Sequence, residues 1–163
     1  MDTGEDVAIK LGTSRAATAF DKEAIFYEKL SGGRCIPTIR MHGREVGYKF
    51  TVMDLLGPSL EDLFAYCGRQ FSLKTVLMIA DQLLFRCQYI HSKEVVHNDI
   101  KPGNLMMGTG RNGNRIYIID FGCATRRATS PPLRETDNSG DFMGTLKYAS
   151  IMGGGSGGRY FKI

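Results

Sequence analysis

His97-Asn98-Asp99-Ile100-Lys101-Pro102-Gly103-Asn104, followed further on by Ile116-Tyr117-Ile118-Ile119-Asp120-Phe121-Gly122, decides how this chain is read. Between the two runs lie Leu105-Met106-Met107 and a polar turn. A hairpin over this stretch would bring two acids, a lysine and an asparagine together. Such a set suits holding Mg²⁺ and polyphosphate beside a hydroxyl nucleophile. A hard cation needs oxygen ligands, which Asp120 and Asn104 can supply. An acceptor hydroxyl needs a carboxylate to orient its proton, which Asp99 can supply. Charge developing on a transferred group needs a cation, and Lys101 stands two residues from that carboxylate. Asp-Phe-Gly alone is any turn after a strand, and Asp-x-Lys-x-x-Asn alone is equally weak. Their order, with an apolar run leading into Asp120, makes the pair specific.

Composition sets the frame around this stretch. The 163 residues are enough for one compact domain and short for two. A hydrophobic share of 42% supports a core, and a charged share of 23% argues against wholesale disorder. The net charge of +4 comes from scattered Lys and Arg, so nucleic-acid binding is not expected. A mildly basic surface suits acidic or phosphorylated partners, and equally an ordinary soluble surface. Cys35, Cys67, Cys87 and Cys123 form no C-x-x-C pair. A reduced setting, cytoplasmic and/or nuclear, is the expectation. The acidic start Met1-Asp2-Thr3-Gly4-Glu5-Asp6 is not expected to be a signal peptide. No apolar run approaches the ~20 residues that span a bilayer, so no membrane association is expected.

Asp6 to Leu11 reads as a strand in which Val7-Ala8-Ile9 leads to Lys10, either a phosphate-anchoring lysine or a surface residue at a strand end. Thr13 to Thr18 reads as a polar connection. Phe20 to Leu30 has helical spacing and puts Glu23 in its first turn, where it could pair with Lys10 or simply favour the helix dipole. Asp21 and Glu28 are rival acids, so position does not select among them. Ser31-Gly32-Gly33 ends this helix. A strand opens at Ile36-Pro37-Thr38-Ile39, Gly43 to Gly47 makes a turn, and Tyr48 to Leu56 is the second strand of a hairpin. Gly57-Pro58 is a connector, and Ser59 can cap a short helix from Leu60 to Cys67. Asp62 on that helix reads equally as a ligand contact or a solvated acid. Ser72 caps a helix to about His91, with Val76, Leu77, Ile79, Ala80, Leu83, Leu84, Cys87 and Ile90 as the face of a buried scaffold helix. Met78 is assigned to structure, and His91 to the dipole or to packing. Two runs, Gly108 to Gly113 and Gly153 to Gly158, match G-x-G-x-x-G. The first contains the hairpin signal Asn112-Gly113, and the second has the composition of a flexible tail, so neither reads as a phosphate loop.

From about Glu5 to Ile151 the chain resembles a eukaryotic protein kinase, and more narrowly the casein kinase 1 family. The carrying residues are Val7-Ala8-Ile9-Lys10, Ile36-Pro37-Thr38-Ile39-Arg40, Leu55-Leu56-Gly57-Pro58-Ser59-Leu60-Glu61-Asp62-Leu63-Phe64 and Phe71-Ser72-Leu73-Lys74-Thr75-Val76. To these are added Tyr89-Ile90-His91-Ser92-Lys93, the catalytic stretch quoted first, and Gly144-Thr145-Leu146-Lys147-Tyr148-Ala149-Ser150-Ile151. The resemblance implies an α+β, partial bilobal kinase fold: residues 1–55 in a small lobe, 56–151 in the start of a large lobe, and 152–163 as a glycine-rich tail. It implies an ATP- and Mg²⁺-dependent Ser/Thr kinase acting, as a monomer, on acidic or pre-phosphorylated proteins. Within it Lys10 contacts phosphates and Glu23 pairs with Lys10. Asp99 is the catalytic base, Lys101 stabilises the γ-phosphate, and Asn104 and Asp120 hold metal. Met53 is the gatekeeper, Leu56 the hinge contact, Met106 the floor under adenine, and Asp62 the ribose contact. Lys147 stands where the family usually carries a phosphate-binding arginine, and keeps the charge without the bidentate fork.

Three departures bear on activity. No glycine-rich loop precedes Lys10, Asn98 replaces the arginine usual beside the catalytic aspartate, and the resemblance stops at Ile151 before the large helices of the family. The apolar face of the Ser72–His91 helix is then expected to be partly uncovered. The readings are therefore an active kinase, a truncated non-catalytic module that binds nucleotide or a partner, and a fragment without a stable fold.

Overall fold

The computed structural model of the chain describes residues 4–13, 17–127 and 144–148. Its first layer is an antiparallel sheet of β1 (Val7–Thr13), β2 (Ile39–Glu45) and β3 (Tyr48–Asp54), in the order β1-β3-β2. Lys49, Thr51 and Met53 on β3 are buried while Tyr48, Phe50 and Val52 are more open, the period of two that puts one face against a helix. Across the ladders, Lys10 stands opposite Thr51, and Met53 stands between Ala8 and Ile39. The strand expected to open at Ile36 begins only at Ile39. Pro37 has no N–H to give a ladder, and Ile36 is buried in the core instead. The expected turn also shrinks to Val46-Gly47, with Gly47 at φ 82°. Gly43 belongs to the strand, where any Cβ would lie 2.7 Å from the Phe50 ring.

The helix α1 (Ala17–Lys29) starts three residues earlier than the sequence suggests. Ala17 and Ala19 are strong helix formers and extend it backwards into the expected connection. Glu23 therefore lies in the second turn, and no acid occupies the first. The helix dipole, which acts over the first turn, does not account for it. Phe26, Tyr27 and Leu30 bury the inner face of α1. Beyond its end, Gly33 lies against Tyr89, whose ring would be 2.2 Å from an added Cβ. The Tyr89 hydroxyl donates to the Leu30 carbonyl at 3.1 Å, so the close approach also holds the end of the helix.

The rest of the described chain is α2 (Leu60–Tyr66), α3 (Leu73–Ser92) and four short strands: β4 (Val95–Val96), β5 (Leu105–Met107), β6 (Ile116–Ile118) and β7 (Thr125–Arg126). β5 pairs with β6, and β4 with β7, both antiparallel. The Gly108–Gly113 run lies in the β5–β6 connection, around a single 3-10 turn at Gly110–Asn112. Ser59 caps α2 reciprocally. Its hydroxyl accepts from the Asp62 N–H at 3.1 Å, and Asp62 Oδ2 accepts from the Ser59 N–H at 3.0 Å. Ser59→Ala is expected to cost about 1 kcal/mol, read as a lower urea midpoint at unchanged slope, with Ser59→Asn recovering most of it.

Ser72 caps α3 as expected, but the helix is buried along only one stripe. Ile79, Leu83 and Ile90 face the core, whereas Val76, Leu77, Met78 and Leu84 are between 47% and 65% exposed. Helical spacing identifies which residues share a face; it does not provide the element that covers it, and among the described residues nothing does. The core itself is Leu30, Ile90, Val95, Ile116, Ile118 and Phe121, all fully buried, with the residues around them. It lies beneath the catalytic stretch and joins α1 to α3. The architecture is α+β, a small sheet with one helix and then a mainly helical part. No helix among the described residues is long and apolar enough to cross a membrane. The 152–163 tail, its Gly153–Gly158 run and the segment from 128 to 143 lie outside the described residues.

Candidate active site

Lys10 is carried by β1 toward α1, half-buried. Its ammonium donates to Glu23 Oε2 at 2.7 Å and Oε1 at 2.9 Å, and to Asp120 Oδ1 at 3.1 Å. Of the three acids that local position could not separate, Asp21 turns to Lys49 and Glu28 is exposed, so Glu23 is the one that meets Lys10, as the resemblance implied. Burial pulls the Lys10 ammonium down, but Glu23 and Asp120 outweigh it and leave it raised. Burial pushes the Glu23 carboxyl up in spite of Lys10.

Asp120 sits in the left-handed region, φ 66° and ψ 72°, which Asp tolerates better than most residues. Its backbone N–H donates to the Tyr27 hydroxyl at 3.0 Å. Tyr27 follows Glu23 by one helical turn, so one face of α1 holds both Lys10 and the Asp120 loop. Burial raises the Tyr27 hydroxyl pKa, so it stays a neutral hydroxyl.

The second cluster is built on the loop after β4. Asp99 Oδ2 accepts from Lys101 Nζ at 2.8 Å and from Asn104 Nδ2 at 3.2 Å, and Oδ1 accepts from the Thr145 N–H at 2.8 Å. Lys101 also donates to the Thr145 hydroxyl at 2.8 Å. Asn104 spends its Nδ2 on the Asp99 carbonyl and carboxylate, which leaves its side-chain oxygen for another partner. The Asn104 carbonyl accepts from the Ile119 N–H at 3.0 Å, directly before Asp120.

His97 locks the two clusters together. It is 2% exposed. Its Nδ1 accepts the Asp99 N–H at 3.2 Å, which leaves Nε2–H to donate to the Ile119 carbonyl at 3.0 Å. Burial lowers its pKa, as this neutral tautomer requires. Phe121 packs between His97 and Tyr27, at centroid distances of 4.8 Å and 5.1 Å. Asn98, φ 63°, donates its amide to the Cys123 carbonyl at 3.0 Å and to Thr125 Oγ1 at 2.9 Å, tying the loop to β7. His97, Tyr27, Phe121 and Thr145 were not among the site residues expected from sequence. For Tyr27 the signal was there, in the one-turn spacing from Glu23.

The remaining expected residues lie around the connector. Met53 is buried on β3, and Leu56 and Met106 are half-buried. Met106 bridges to Ser59, and Gly57 N–H donates to Met107 at 2.8 Å, so β5 supports the connector. Asp62 is exposed, but its Oδ2 is engaged in the cap of α2. The cap uses that oxygen and leaves the other uncommitted. Lys147 is exposed, over the Tyr148 ring.

The carboxyls give a pH dependence. Partial burial pushes Asp99 up, but hydrogen bonds from Lys101 and Thr145 outweigh it and leave the group below the ordinary 3.8. Burial likewise raises Asp54, and its bonds to Thr38 and Arg40 win. Ser59 lowers Asp62. A carboxyl lowered by folding gives stabilisation that is complete above its unfolded pKa and lost as pH falls through the folded one. Lys49 lowers Asp21 as well, and Glu23 runs the other way, one group against four. The thermal midpoint is expected to start falling as pH drops through about 6.5, where His97 charges only on unfolding, and to fall again below about pH 4, with Asp99→Asn flattening part of the second limb.

Lys10 held between two acids, and the Asp99–Lys101–Asn104 loop locked to it, make one charged cluster. The family model of the protein kinase domain matches residues 1–150. The chain belongs to the protein kinase family. Kinases of this family use ATP with Mg²⁺ and act on protein substrates.

Proposed function

We propose that the chain is a serine/threonine protein kinase of casein kinase 1 type, transferring the ATP γ-phosphate to hydroxyls of acidic or pre-phosphorylated proteins. The observation that carries the reading is Lys10 held between Glu23 and Asp120, acids 13 and 110 residues away in sequence. Such a lysine presents fixed positive charge to phosphate oxygens beside a metal-binding acid. The casein kinase 1 resemblance supports the hydroxyl type and the substrate class. We take residues 1–151 as the kinase portion, divided near residue 55, 152–163 as a tail, the active species as a monomer, and its setting as cytoplasmic or nuclear.

The donor set fits a hard divalent cation: the Asn104 side-chain oxygen and the half-exposed Asp120 carboxylate are oxygen ligands, and phosphates and water can complete the shell. Mg²⁺ bound there would offset charge on the transferred group. The chain's own residues do the rest. Asp99 orients the acceptor hydroxyl and takes its proton, its carboxylate fixed by Thr145 and Lys101. Lys101 faces the charge that develops on the γ-phosphate. Lys10 holds the α/β-phosphates, Met53, Leu56 and Met106 flank adenine, and Asp62 offers its uncommitted oxygen to ribose. Lys147 receives the acidic or phosphorylated group of the substrate.

The test compares a serine peptide flanked by Asp and Glu with the same peptide flanked by Ala, using labelled Mg-ATP. Transfer to the acidic peptide at least about tenfold faster, with a thermal midpoint raised by Mg-ATP, is the expected result. Nucleotide binding without transfer supports the second reading, a nucleotide- or partner-binding module. That reading is favoured by one observation: both Asp99 oxygens already accept hydrogen bonds. Neither nucleotide binding nor transfer would overturn the kinase and the nucleotide-binding readings alike.

A further inference from the structure

A second ionic cluster lies at the other end of the sheet. Lys49 on β3 is 2% exposed, and its ammonium donates to Asp21 Oδ2 on α1. A lysine buried this deeply needs such a partner. The ladders place Lys49 between Gly12 of β1 and Arg44 of β2. One step along the same face, Thr51 stands between Lys10 and His42. His42 hydrogen-bonds Thr51 through Nδ1 at 2.9 Å, stacks on Phe20 at 5.6 Å, and brings Nε2 to 3.8 Å from Asp21 Oδ1. Phe20 in turn closes over Gly12, where a Cβ would lie 2.7 Å from its ring. The contacts of Asp21 and Phe20 bind the first half of α1 to the sheet.

The second half of α1 is held by other partners. The Tyr27 hydroxyl takes the Asp120 N–H, and Phe26 and Leu30 are in the core. Glu23 lies between the two anchors. Residues two apart on a helix do not face one another, so Asp21 can act on Glu23 only through the helix backbone.

We propose that the Lys49–Asp21 pair is a positioning device of the nucleotide site: it sets α1 over the sheet and thereby delivers Glu23 to Lys10. This rests on the assignment of Lys10 and Glu23 made above. Without the pair, α1 is fixed to the Asp120 loop but loosely to the strand that carries Lys10. The Lys10–Glu23 contact spans those two bodies and is the first to lengthen.

The experiment labels the nucleotide-free chain with acetic anhydride and reads each lysine by mass spectrometry. Only the free amine acylates, so the rate at Lys10 reports how firmly its carboxylates hold it charged. Lys49→Met is expected to raise the Lys10 rate about fivefold and leave unchanged the rate at Lys101, which Asp99 holds in the other cluster, while Lys49→Arg restores the original rate. Asp21→Ala cuts the pair from its exposed end and is expected to give the same increase. It carries the test if the methionine variant does not fold. Unchanged Lys10 rates overturn the proposal. So does a rise shared by Lys10 and Lys101, which would make the pair a support of the whole fold. Mg-ATP binding to the unaltered chain, measured by calorimetry, tests the nucleotide reading separately. Its absence would remove that reading while the labelling result still decided whether the pair positions Glu23.

Discussion

Asp120→Asn is expected to reduce phosphate transfer from Mg-ATP by on the order of a thousandfold while leaving the chain folded. Asparagine has the same shape and is among the few residues that accept the left-handed backbone seen at Asp120. The Tyr27 hydroxyl still receives the backbone N–H, because that bond does not use the side chain. What disappears is the charge. In the proposed division of roles the metal would lose its anionic ligand, and Lys10 loses one of its two carboxylate partners. The measurement is transfer of labelled phosphate alongside circular dichroism and a Mg²⁺ titration. Unimpaired transfer would mean that Asp120 does not hold the metal, and the proposed division of roles would fall with it. Reduced transfer with an intact spectrum and a weaker Mg²⁺ response is the supporting pattern.

Phe121→Ala is expected to cost about 3–5 kcal/mol, the largest loss of stability from any one side chain discussed above. Phe121 is fully buried and meets Tyr27 edge-on, at 77°, and His97 at a tilt of 58°. Removing the ring opens a cavity between α1 and the catalytic loop and forfeits both aromatic contacts. A domain of this size has only about 5–15 kcal/mol to lose. Urea denaturation measures the effect. Phe121→Leu, which refills much of the space, should recover more than half of it. A cost below about 1 kcal/mol would mean that this contact is not packed in solution as described. Because the same ring holds Asp120 and His97 in place, the alanine variant should also lose transfer at temperatures where its fold survives.

The parts of the site that were legible in sequence are those with short-range order. Asp99, Lys101 and Asn104 lie within one loop, and Asp120 follows an apolar run, so spacing alone suggested shared chemistry. Ser59 and Ser72 were visible as caps because capping is local. Glu23 could not be told from Asp21 and Glu28 by position, since the choice depends on a strand one connection away. The start of α1 was misplaced because a run of small residues reads as a connection and folds as a helix. Periodicity alone overstated burial on α3, because it describes a face and not its neighbour, whereas the expectation of a partly uncovered face agrees with the exposed Val76, Leu77, Met78 and Leu84. The left-handed turn at Asp120 and the Lys49–Asp21 pair left no local trace. Each is imposed by contacts across 28 residues or more.

The bond from Asn98 to the chain after Gly122 differs in kind from the ion pairs of the site. It is a neutral amide donating to a carbonyl and a hydroxyl. Lys10 and Asp120, by contrast, form an ion pair about 40% exposed on each side. Dissolved ions screen exposed charges over about 8 Å at physiological ionic strength and leave a neutral hydrogen bond almost untouched. Added salt should therefore slacken the lysine side of the cleft while β4 and β7 stay joined. The two halves of one site would answer differently to the same change of buffer.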